Sequence, residues 1–167
     1  RLAEALSARC VARGGKPLTV KVDPHKWGGV QIERSADWMT LTLHMRDFVR
    51  GAVRTWLPEL ADTGSVPKWV PQGAALRNAL DRLQLTGSAG EKLTAAQREV
   101  AKLVGVLRWM TKLIVRITRH VWRLSCVVAR PPEEAMLAAL GVLAIAHEAQ
   151  AEGLTFGGAQ ATLLYSG

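Results

Sequence analysis

The sequence predicts an α+β fold that is mainly helical: a small three-stranded antiparallel sheet with flanking helices, then a helical C-terminal half built on one long basic helix. Three observations predict it. Between residues 18 and 43, apolar and polar residues alternate in three short runs, the period of a half-buried strand. Through residues 94–130 the apolar positions instead recur every three to four residues, the period of a helix. Glycine and proline mark the changes of pattern, at Gly14-Gly15, Asp23-Pro24, Pro67, Pro71 and Pro131-Pro132.

Taken in order, Leu2, Ala5, Leu6, Ala8 and Val11 predict a helix over residues 1–13. Leu18, Val20 and Val22 then predict a first strand, Val30 and Ile32 a second, and Met39, Leu41 and Leu43 a third, joined as a meander. The helical period returns from Met45 to Leu60 through Phe48, Val49, Ala52, Val53, Trp56 and Leu57, with Pro58 disturbing its end. Residues 1–62 thus form an α-β-β-β-α subdomain, and residues 63–93 a linker with a short helix near 72–85. Residues 94–167 form a helical hairpin region. Its long helix starts at the N-cap Thr94 and stops at Pro131-Pro132. A last helix runs from Pro132-Glu133-Glu134 to Gly153, its acids placed to suit the helix dipole. The segment after Gly153 either pairs as a strand or lies loose, and no internal repeat is present.

An apolar share of 49% over 167 residues is enough for a buried core and excludes a wholly disordered chain. Lysine and arginine number 22 against 14 acids, a net charge of +8, which favours polyanionic partners. That charge is concentrated. Residues 94–130 hold eight basic groups and one acid, whereas 131–167 hold four acids and no base.

On a helical wheel, Arg98, Lys102, Arg108, Lys112, Arg116, Arg119, His120, Arg123 and Arg130 fall within an arc of about 120°. Leu103, Val106, Leu107, Met110, Ile114, Ile117, Val121, Leu124 and Val128 occupy the opposite face. No carboxylate lies between Glu99 and Glu133, so intrahelical pairing is not expected to neutralise the stripe. Trp109 falls inside the basic arc, where an indole can stack on a base. As one helix the segment would span about 55 Å at 1.5 Å per residue. That overshoots a compact domain with a radius of gyration of about 15 Å. Either the helix breaks, with Gly105 a candidate point, or its apolar face is covered by self-association.

A transmembrane reading is excluded by the five Lys and Arg between 103 and 128, each costing about 2.5–3.5 kcal/mol at mid-bilayer. The apolar run 135–146 is too short to span. Cys10 and Cys126 form no paired motif, which points to an intracellular, reducing compartment. The chain starts at Arg1 rather than Met, as a fragment or processed product would.

Asp23-Pro24-His25-Lys26-Trp27 resembles the short motif around the Schiff-base lysine of pyridoxal-phosphate-dependent decarboxylases. That family places a large cofactor-binding domain before its lysine, and only 25 residues precede Lys26, so the segment reads as a polar turn. The helix, three strands and helix of residues 1–60 resemble in outline the double-stranded-RNA-binding domain, with Pro24-His25 in the loop that carries that family's Gly-Pro-x-His. The family's lysine cluster at the start of the second helix is missing. As a topological analogy, the resemblance implies that His25, Lys26, Arg46 and Arg50 touch RNA. The four histidines, His25, His44, His120 and His147, share no metal-ligand spacing, and His147 reads as a packing residue on an apolar helix. No cofactor, metal or catalytic constellation is expected.

The expected function is therefore non-catalytic nucleic-acid binding, DNA or RNA undecided, by a homo-oligomer or larger assembly. Lys102, Arg108, Lys112, Arg116, Arg119 and Arg123 would contact phosphates, with Trp109 as stacking platform and Arg98 and His120 completing the nucleic-acid-binding face. The alternative is a structural protein whose long helix packs on partner subunits and whose cations meet acidic surfaces, including its own last helix. Peripheral attachment to an acidic membrane surface is a second alternative.

Overall fold

The computed structural model describes residues 11–12, 14, 26–37, 39–87 and 92–157. These form an α+β fold with six α-helices and one four-stranded antiparallel sheet in the order β1-β2-β3-β4. The helix expected at 1–13 and the strand expected at 18–22 fall almost wholly outside the described residues.

The sheet begins with a tight hairpin. Strand β1 (Lys26–Trp27) turns at Gly28-Gly29, both at positive φ (55° and 86°), into β2 (Val30–Arg34). Two positive φ values in a two-residue loop suit the right-handed twist of a hairpin and favour glycine. Strand β3 (Thr40–His44) follows, and its outer side is taken by β4 (Gly153–Gly157), so the segment after residue 152 does pair. The register puts Ile32, Leu43 and Leu154 in one row and Arg34, Leu41 and Phe156 in the next on the same face. The opposite face carries a Thr42–Thr155 hydroxyl contact at 3.3 Å and the His44 Nε2–Glu33 Oε1 contact at 2.7 Å. The expected three-stranded sheet is therefore corrected to four, the fourth strand arriving from more than a hundred residues away.

The helix expected from Met45 to Leu60 is two helices, α1 (Arg46–Trp56) and α2 (Pro58–Thr63). Pro58 clashes with a helical preceding residue, and Leu57 accordingly adopts φ −142° and ψ 58°. Helix α3 (Gly73–Arg82) buries Leu76 and Leu80.

The long basic helix is also corrected. Residues 94–130 form α4 (Ala95–Met110), a turn, a 3-10 turn (Val115–Ile117) and α5 (Thr118–Val127), with the break at 111–114 rather than at Gly105. The start is as expected: Thr94 accepts the Gln97 N–H at 3.2 Å and Gln97 returns the bond at 2.9 Å, a capping box. The break has a packing cause. In an unbroken helix Leu113 would stand at about 60° from Arg98, on the cationic side; in the fold Met110, Leu113, Ile114 and Ile117 are all buried. The β-branched residues Thr111, Ile114, Val115, Ile117 and Thr118 crowd a helical turn, and the Thr111 hydroxyl donates to the Arg108 carbonyl at 2.7 Å instead of leaving it to the helix.

Helix α6 (Glu134–Glu148) stops short of Gly153 and is buried on nearly all sides, from Ala135 to Ala146. Helices α1, α3, α4, α5 and the 3-10 turn all pack on it. Small residues permit that crowding: a methyl on Gly141 would meet the Pro71 carbonyl oxygen at 2.5 Å. One hydrophobic core joins Met45 and Val49 through Leu103, Leu107, Ile114 and Leu124 to Leu143 and Ala149. Among the described residues, no helix is long and apolar enough to cross a membrane.

Candidate nucleic-acid interface

The break after α4 divides the expected cation stripe into two groups with different surroundings. Arg98 wraps back, donating to the Leu93 carbonyl at 2.7 Å. Lys102 pairs with Glu99 at 2.6 Å, one intrahelical neutralisation that the sequence reading did not expect. Beyond the break, Arg116 pairs with Glu152 at 3.3 Å, and Arg123 pairs with Asp81 of α3. The acidic segment at α6 and after thus does meet part of the stripe, through Glu152.

Arg108, Lys112 and Arg119 are exposed and form no ion pair with any described residue. His120 is half-buried, and burial, then the charges of Arg119 and Arg77, hold its pKa below the ordinary 6.5. A phosphate near it would act in the opposite direction, since an anion favours the charged imidazole.

Trp109 is not free in the basic face. Its indole N–H donates to the Gly28 carbonyl at 2.8 Å, so it fastens α4 to the β1–β2 turn and presents only part of its ring. On α4 and α5 the exposed tryptophan is Trp122, at 62% of its full accessibility. Trp122 was not singled out in the sequence because on a single unbroken helix it lies off the cation arc, at about 240° from Arg98. Its adjacency to Arg123 was the available signal.

Trp122 lines a groove of about 450 Å³ between the end of α4 and the face of α5. Arg108, Trp109 and Lys112 form one wall, and Thr118, Trp122 and Ser125 the other. The α5 wall repeats at positions 118, 121, 122 and 125, the spacing of one helical face. Gly105 opens the α4 side, since a methyl there would meet nothing within 4 Å. The groove therefore combines two unneutralised cations, hydroxyls and an aromatic face. Such a surface can hold phosphate oxygens and stack an unpaired base.

The residues implied by the RNA-binding resemblance are otherwise engaged. Lys26 lies 3.5 Å from Asp47, Arg46 lies 3.9 Å from Glu33, and Arg50 donates to Gln150 at 3.2 Å; His25 is outside the described residues. No group of three or more His, Cys, Asp or Glu side chains among the described residues is arranged to hold a metal ion. No protein-family model matches the chain, and neither the curated proteins nor the solved structures compared with it give a significant match.

Proposed function

We propose that this protein binds single-stranded nucleic acid in the α4–α5 groove. The observation that carries the reading is exposed Trp122 in the same groove as Arg108 and Lys112, two cations that no described carboxylate neutralises. In this reading Arg108, Lys112 and Arg119 take phosphates and release counterions, while the Trp122 ring stacks on a base. Stacking of this kind requires a base out of its duplex, which is why a single strand is the favoured form. Arg98 is held by the Leu93 carbonyl and His120 is half-buried, neither of them lining the groove, and Lys102, Arg116 and Arg123 hold internal partners.

The test is fluorescence anisotropy with a labelled 12-nucleotide strand, as DNA and as RNA, at several salt concentrations. The double variant Arg108→Glu/Lys112→Glu should weaken binding at least tenfold. Its plot of log affinity against log salt should flatten by about 1.4, for two lost contacts on a single strand. An unchanged affinity and slope would remove the proposal. A gain of signal only with acidic vesicles would move the same surface to a lipid headgroup layer.

A second reading, assembly with partner subunits, is favoured by a separate observation: Leu154 and Phe156 are 42% and 44% exposed on β4, an outer strand of the described sheet. Sedimentation without oligonucleotide measures it directly. A monomer at all concentrations ends that reading.

A further inference from the structure

Away from the groove, α1, α2 and α6 line an open surface pocket of about 210 Å³. Arg50 and Arg54, one turn apart on α1, line it together with Val53, Ala61 of α2 and His147 in the last turn of α6. Their i,i+4 spacing brings the two guanidinium groups to the same side of the helix. Arg50 Nε donates to Gln150 Oε1 at 3.2 Å, which orients that guanidinium and leaves its terminal N–H donors unused. The side chains of Arg54 and His147 make no hydrogen bond or ion pair with any described residue, and no carboxylate lines the pocket.

Both Arg54 and His147 sit in the last turn of a helix, where the dipole welcomes a cation. That placement explains why basic groups are tolerated there, and it leaves their side-chain donors without a described protein acceptor and open to a ligand. The pocket is smaller than the roughly 300–1,000 Å³ of ordinary organic-ligand sites. It suits a compact group that offers several acceptor oxygens, and planar guanidinium forks match tetrahedral oxyanions. We infer that this pocket is a phosphate site, filled by free orthophosphate or by a terminal phosphate monoester of a larger molecule. Arg50 and Arg54 grip the oxygens from one side and His147 supplies a third donor from α6.

Isothermal titration of the whole chain with inorganic phosphate, at constant ionic strength in chloride, tests this. One saturable site is expected. Arg54→Gln and Arg50→Gln should each weaken it at least tenfold, while Arg108→Glu/Lys112→Glu leaves it within twofold, separating it from the α4–α5 groove. Thermal melting of each variant without phosphate checks the fold, and a thermal shift with phosphate that disappears in Arg54→Gln gives a second readout. The same short oligonucleotide with a 5′-phosphate or a 5′-hydroxyl distinguishes the sources. An Arg54-dependent preference for the phosphorylated form assigns a terminal monoester; phosphate binding without that preference assigns the free ion. Absence of saturable uptake, equal affinity in Arg54→Gln and the parent, or loss caused only by the groove variant would overturn the site.

Discussion

Cations of the same kind lie on both sides of the break at 111–114, and on each side the fold pairs some of them and leaves others open. Before and within the break, Arg108 and Lys112 point into an open groove without a described acidic partner. Lys102 on α4 is instead paired with Glu99. After the break Arg116 and Arg123 reach Glu152 and Asp81 and tie α5 and its entry turn to neighbouring segments, while Arg119 stays exposed without a described acidic partner. A charge stripe on a wheel is therefore not one surface. What matters is which cations the tertiary fold has already paired.

The strongest way to break this contrast is to remove the packing that divides the stripe. Ile114→Ala should cost about 2–5 kcal/mol, read by urea unfolding, because the side chain is fully buried at the break. Next comes the groove. Arg108→Glu/Lys112→Glu should lose at least tenfold in oligonucleotide affinity with a melting temperature close to the parent's, since both residues are exposed and unpaired. Trp122→Ala should lose about 1–3 kcal/mol of binding for one unstacked base, again with little change in stability. A Trp122→Ala variant that melts early but binds normally would reverse the assignment of roles.

The smallest effects belong to the paired cations. Asp81→Asn or Glu152→Gln should change stability by about 0–1 kcal/mol, because both ion pairs are largely exposed. Each should raise affinity for an oligonucleotide slightly, by freeing Arg123 or Arg116. The pH dependence discriminates further. His120 takes a proton less readily in the fold than in the unfolded chain, so its contribution to stability is full above pH 6.5 and is lost below that value, as the pH falls through the lowered pKa of the folded state. His120→Gln should flatten that part of the curve. Glu33 titrates below its ordinary 4.5, held there first by the hydrogen bond to His44, then by charge on His44, with Arg46 adding less. Its contribution persists above that pH and is lost in stronger acid, a separate window that Glu33→Gln should remove.

Local signals were legible where the chain decides its own conformation. The alternation at Val30–Ile32 and Leu41–Leu43 gave two of the strands, and Thr94 with Gln97 marked the start of α4. The interruption of the basic segment was hidden because Met110, Ile114, Ile117, Val121 and Leu124 stay in phase on one wheel across it. Only Leu113, stranded among the cations, and the β-branched run after it betray the need to turn. That the segment after Gly153 could pair was legible, but its partner was not: β3 lies far away in the chain, and no short-range pattern encodes that choice. Of the expected site, Arg108, Lys112 and Arg119 kept an open setting, Trp109 became a fastening, and Trp122 emerged from the change of helix direction.

Helix α6 is the member on which α1, α3, α4, α5 and the 3-10 turn all lean, and it is encoded after every one of them. During synthesis those earlier segments emerge from the ribosome with their oily sides still uncovered. They acquire a common surface to settle on only once residues 134–148 have followed them out. Folding should therefore be delayed until translation of this segment is nearly done, and chains stalled before residue 134 should remain protease-sensitive and dependent on chaperones.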